Sequence, residues 1–168
     1  MAEDKKIEKP EYSNFKVYIR MEPYLAQWLA HKFGPFPIRF PKGSIENDIM
    51  EKGLIPLPKK ATPDLPGKGK YPIILPFFRY KDVRFHNFLP ISDKSKLVHC
   101  LKVCFDIELW TDLHRFGYIG KQKQDLIWAW MDDHDIDDTE ANFNAISKIY
   151  ARKREAHRRR MKREQDDD

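Results

Sequence analysis

The chain has 168 residues, room for one ordinary domain or a domain with a small appended module. Hydrophobic residues make up 41% and aromatics 13%, which excludes wholesale disorder, and no run approaches the roughly 20 apolar residues of a membrane-spanning helix. The net charge of +5 is modest, with 34% of residues charged, so its bearing on partners lies in how the charge is distributed along the chain.

Residues 1–14 read as a flexible lead without the apolar core of a signal peptide. Residues 15–21 then alternate, with Phe15, Val17 and Ile19 on one face and Lys16, Tyr18 and Arg20 on the other. That period of two predicts a strand. Pro23 suits the first position of a helix whose apolar side chains Tyr24, Leu25, Trp28, Leu29 and Phe33 lead up to Gly34. Ser44 is placed to cap a short second helix through Ile45, Ile49 and Met50, with Gly53 as its stop.

Nine of the twelve prolines fall between Pro35 and Pro76, so residues 55–70 read as a long loop. Beyond it, residues 71–78 and 83–89 are apolar and rich in β-formers, with a polar turn at 79–82. The pattern predicts a β-hairpin whose first strand Pro72 and Pro76 push to an edge.

The remainder is helical in character. Ser92 opens a helix that runs to Phe116 and is apolar nearly all round, which predicts a central core helix ended by Gly117 and Gly120. A second helix covers residues 121–133. After a short turn, Asp138 is the expected N-cap of a third helix, anchored by Phe143, Ile146, Ile149 and Tyr150. The expected fold class is α+β: an N-terminal strand–helix–helix piece and hairpin over residues 15–90, and a three-helix unit over residues 91–168 that ends in a projecting basic helix.

That last helix carries the strongest functional signal. Between Lys148 and Arg163 nine residues are basic and only Glu155 is acidic, while Asp132 to Glu140 hold six acids and no Lys or Arg. A dipole favours cations at a helix C-terminus, but nine exceed what it rewards, and arginine suits bidentate phosphate contacts. Arg152, Arg154, Arg158, Arg159, Arg160 and Arg163 are therefore the expected phosphate-binding residues. A helix-turn-helix reading of residues 124–144 would give Asn142 and Asn144 to bases, but its tip is acidic. An ordinary helical hairpin packing Trp130 against Phe143 fits better.

The segments Phe15-Lys-Val-Tyr-Ile-Arg-Met21, Pro23-Tyr-Leu-Ala-Gln-Trp-Leu29 and Gly43-Ser-Ile-Glu-Asn-Asp-Ile49 resemble the strand and two helices of ribbon-helix-helix DNA-binding domains. The resemblance covers about a quarter of the chain, and residues 35–42 replace the short turn usual between the helices. It implies a dimer whose paired strands lie in the major groove, with Lys16, Tyr18 and Arg20 as the reading residues. The whole chain is also similar to small proteins of Bacteroidetes mobile elements and phages, a likeness that implies no particular activity.

Other chemistry is weakly signalled. Asp133, Asp135 and Asp137 imitate the start of a calcium loop, but Asp138 and Asn144 stand where it needs Gly and Glu. Cys100, Cys104 and His114 share a helical stripe without a fourth zinc ligand, so two reduced core thiols are the expectation and no metal or cofactor is assigned. There is no GxSxG, Walker loop, GxGxxG or HExxH, and Arg84-Phe85-His86-Asn87 alone does not make an enzyme. The same segment, with Arg79, Tyr80, Lys81 and Phe88, interleaves cations and aromatics as single-strand binders do. The expectation is a cytoplasmic accessory or regulatory protein that binds nucleic acid, DNA in particular, and no membrane. The rival expectation is a structural or interaction module, a homo-oligomer assembled through its acidic and basic blocks.

Overall fold

A computed structural model describes residues 15–116 and 122–166. The chain is α+β, with two strands and five helices among those residues: β1 (Lys16–Arg20), α1 (Pro23–Phe33), α2 (Ile45–Gly53), β2 (Lys70–Ile74), α3 (Ile91–Phe116), α4 (Lys123–Asp133) and α5 (Glu140–Asp166). The lead over residues 1–14 and the glycine break at 117–120 lie outside the described residues.

β1 forms as its alternation predicts, burying Val17 and Ile19. Its partner is not a neighbour in sequence. β2 runs antiparallel to it, from Lys16 opposite Ile74 to Arg20 opposite Lys70. The expected hairpin of residues 71–78 with 83–89 is therefore absent. Residues 83–89 hold turns and one bridge, Phe88 to Ile55, while β2 is taken by β1 on one side and by Ile38 on the other. Pro72 is tolerated because its carbonyl accepts from the Ile38 N–H, so its backbone faces away from β1 and the missing donor removes no rung there.

Pro23 occupies the first turn of α1, and Gly34, at φ 91, ends it. Ser44 caps α2 as expected, its Oγ accepting the Asn47 N–H at 3.2 Å. The other end of α2 is closed from a distance. Lys81 Nζ donates to the carbonyls of Glu51, Lys52 and Leu54, so the loop after β2 is tied to a helix C-terminus.

α3 buries one stripe rather than its whole circumference: Leu97, Leu101, Phe105, Leu109 and Leu113, each four residues on from the last, while Val103 and Ile107 are exposed. Phe105 sits at the centre, with its ring 5.0 Å from Tyr24, 5.5 Å from Trp28 and 5.4 Å from Trp130. One buried cluster runs from Val17 to Tyr150, so residues 15–90 and 91–166 share a core. The helical hairpin of α4 and α5 packs through Trp128, stacked on Phe143 at 4.3 Å, and not through Trp130, which faces α3. Its second helix is capped by Thr139, whose Oγ1 accepts the Asn142 N–H at 3.2 Å, in place of the expected Asp138.

Candidate nucleic-acid interface

Past Tyr150, α5 leaves the core. Its residues there are exposed apart from half-buried Lys153 and Glu155. Two acids temper the charge: Glu155 pairs with Arg158 and Arg159, and Glu164 pairs with Arg160. Among the described residues no carboxylate pairs with Arg152, Arg154, Lys162 or Arg163. At 100° per residue, Lys148, Arg152, Arg159 and Arg163 fall within an arc of about 60°, a stripe roughly 22 Å long. Arg154 and Arg158 stand on the other side of the helix.

The strand face is built differently from what the ribbon-helix-helix likeness implies. The β1 ladder is filled by β2 of the same chain, and the Tyr18 N–H, which points to the opposite edge, donates to Asp64 Oδ2 at 3.0 Å. Asp64 comes from the proline-rich loop and also ion-pairs with Lys94 of α3, so the loop straps the free edge of β1. Between α1 and α2, Ile38 is bridged to β2.

Beside this strap lies a cleft of 930 Å³, lined by Tyr18, Arg20, Lys70, Lys94, His99 and Lys102 among others. Lys16 is not among its lining residues. A second cleft, of 780 Å³, runs between α3 and α5, and His99 and Lys102 line it too, together with Lys148, Arg152 and Lys153. The two clefts therefore meet at α3, and cations continue from Arg20 through Lys102 to Arg152 and along the α5 stripe. Three carboxylates border this track, each with a cation: Asp64 with Lys94, Glu22 with Lys102, and Asp106 with Lys153. Arg20, Lys70, Lys148 and Arg152 have no such partner among the described residues.

Lys70, Lys94, His99 and Lys102 carry no sequence signal of their own. Each is a lone charge in a mixed segment, and only the fold sets it beside β1 and α5. Of the interleaved segment after β2, Lys81 is consumed in capping α2 and Arg84 is bound to Asp82, whose carboxyl it holds below its ordinary pKa. Tyr80 and Phe85 remain exposed, under Arg79 and Arg84 at 5.6 and 5.8 Å from the ring centres. Asn142 is no base reader. It is buried, and its Nδ2 donates to Gln27 Oε1 and to the Asp137 carbonyl, both at 3.0 Å.

Two of the three aspartates of the imitation calcium loop turn to α1: Asp135 meets His31 and Asp137 meets Gln27. Cys100 and Cys104 gather with Glu46 of α2, while His114 turns to the rings of Trp110 and His157. None of the described helices is long and apolar enough to cross a membrane. Comparison with protein-family models, with curated proteins and with solved structures finds no match.

Proposed function

We propose that the chain binds nucleic acid through its phosphates, in an accessory or regulatory role. The observation that carries this reading is the run of cations from Arg20 past Lys102 and Arg152 to Arg163, which joins a strand face and an exposed helix that lie far apart in sequence. Phosphate contacts supply most of the affinity of such proteins and make it steeply salt-dependent. Tyr18 and Phe88 in the first cleft add aromatic faces on which bases stack.

Binding of a labelled random duplex and a random single strand across a salt series tests it. Five or six contacted phosphates give a log–log slope of about −5 on duplex and about −4 on single strand. Replacing Arg152, Arg159 and Arg163 together by Ala should flatten the duplex slope by about 3. No binding to either polymer at low salt would sink the reading.

A second reading rests on an acidic cleft of 800 Å³ at the α4–α5 turn, lined by Trp128, Asp132, Asp135, Asp137 and Asp138. It complements the basic helix of another copy in sign. An elution volume that grows smaller with concentration, and returns to the monomer position in salt, would favour it.

A further inference from the structure

At the junction of α1, α3 and α4, three acceptor atoms converge. Glu108 and Asp112 stand one turn apart on α3, and His134 closes the C-terminus of α4. His134 Nε2 lies 3.4 Å from Glu108 Oε1 and 3.8 Å from Asp112 Oδ2, and the three ligand atoms fall within 4.8 Å of one another. Nδ1 of His134 sits 2.7 Å from the Trp130 carbonyl. A carbonyl only accepts, so Nδ1 carries the proton and donates it there. Nε2, on the other side of the ring, faces the two carboxylates, and it is the nitrogen left to bind an ion.

The surroundings hold these groups in place. Trp28 Nε1 donates to Glu108 Oε1 at 3.2 Å and Trp130 Nε1 to Asp112 Oδ2 at 2.9 Å. Lys32 Nζ donates to the far oxygen, Glu108 Oε2, at 2.7 Å, and the imidazole is stacked on Trp130 at 3.9 Å. Hydrogen bonds that fix the tautomer and orient carboxylates are what a metal site needs around its ligands.

We propose that Glu108, Asp112 and His134 bind one first-row divalent transition ion of the zinc class. The spacing fits. Four ligands placed tetrahedrally at about 2.1 Å stand about 3.4 Å apart, close to the two distances from Nε2. One imidazole with two carboxylates suits zinc, cobalt or manganese better than magnesium or calcium, which take oxygen alone and more of it. Three protein ligands leave a fourth position for water. The bound ion would tie α3 to α4, and through Trp28 and Lys32 to α1. This inference is independent of the nucleic-acid reading.

The test uses tag-free full chain titrated with cobalt(II), followed by visible absorption, with zinc as competitor. A second cluster, Glu46 with Cys100 and Cys104, makes the controls essential. The expected result is one cobalt per chain with ligand-field bands, no thiolate charge-transfer band, displacement by zinc, and unchanged binding in Cys100→Ser/Cys104→Ser. Asp112→Asn, which keeps an acceptor for Trp130, should weaken binding at least about tenfold, and Glu108→Gln likewise. Zinc at a hundredfold excess over its Kd should raise Tm by roughly 5 to 10 °C. Absence of cobalt binding would overturn the proposal in favour of a proton on Nε2 as what joins the three groups. A thiolate band lost with the cysteines, or full affinity in folded Asp112→Asn and Glu108→Gln, would overturn it as well.

Discussion

Gly53 shows how one hydrogen atom sets the approach of two helices. A Cβ there would stand 2.8 Å from Asp93 Cβ and 2.9 Å from Leu89 Cδ1. Alanine favours a helix over glycine by about 1 kcal/mol, but overpacking costs about 1–3 kcal/mol, and Asp93 Cβ cannot rotate away. Gly53→Ala is therefore expected to lower the urea midpoint, whereas a surface Gly→Ala in a helix would raise it. Tyr24 gives a second test at this scale. Burial chiefly, with Glu22 and Asp106 adding to it, pushes its phenol up to about 12. The folded pKa lies above the unfolded value of about 10, so the folded state keeps this proton longer. Its contribution is complete below pH 10 and is lost as pH rises towards 12. A spectrophotometric tyrosinate titration should show a late step near pH 12 that is missing in Tyr24→Phe. The same variant should resist alkaline unfolding better than the parent.

Among elements, the helix boundaries illustrate what local chemistry decides. Ser44 was legible as a cap because a hydroxyl preceded a clear apolar pattern, and its Oγ does accept a helix N–H. At α5 the expected cap, Asp138, immediately precedes the observed one, Thr139, and both residue types make good caps. Thr139 takes the role because Asp137 and Asn142 are drawn to Gln27 of α1, which sets where the backbone enters the helix. Thr139→Ala should cost about 1 kcal/mol by chemical denaturation, while Asp138→Ala should stay within about 0.5 kcal/mol. Equal losses from both would contradict this assignment.

For the whole molecule, the question is whether the end of α5 serves the fold. The core reaches Tyr150, and His157 still touches the Trp110 ring at 5.4 Å, but residues 158–166 are exposed. Truncation after His157 should leave the unfolding free energy within about 0.5 kcal/mol and remove five of the nine cations counted between Lys148 and Arg163. Lost stability would make the helix end a structural part. Retained stability with weakened polymer binding would separate folding from the proposed function.

Sequence alone determined the features whose causes are local. The period of β1, the proline and glycine ends of α1, the run of α3 and the charge on α5 each follow from residues within a few positions, as do the loops that proline imposes. Tertiary structure decided what depends on remote neighbours. β1 and β2 pair across 49 intervening residues (Arg20 to Lys70), and no local pattern encodes that register, so residues 71–78 and 83–89 imitated a hairpin. The apolar residues of α3 outnumber its buried stripe, because which of them are covered depends on where α1, α2, α4 and α5 pack against it. The α5 cations were visible as a run. Their continuation through Lys102, Lys94, Lys70 and Arg20, like the meeting of Glu108 and Asp112 with His134, exists only because the packed helices bring charges from separate segments to one surface.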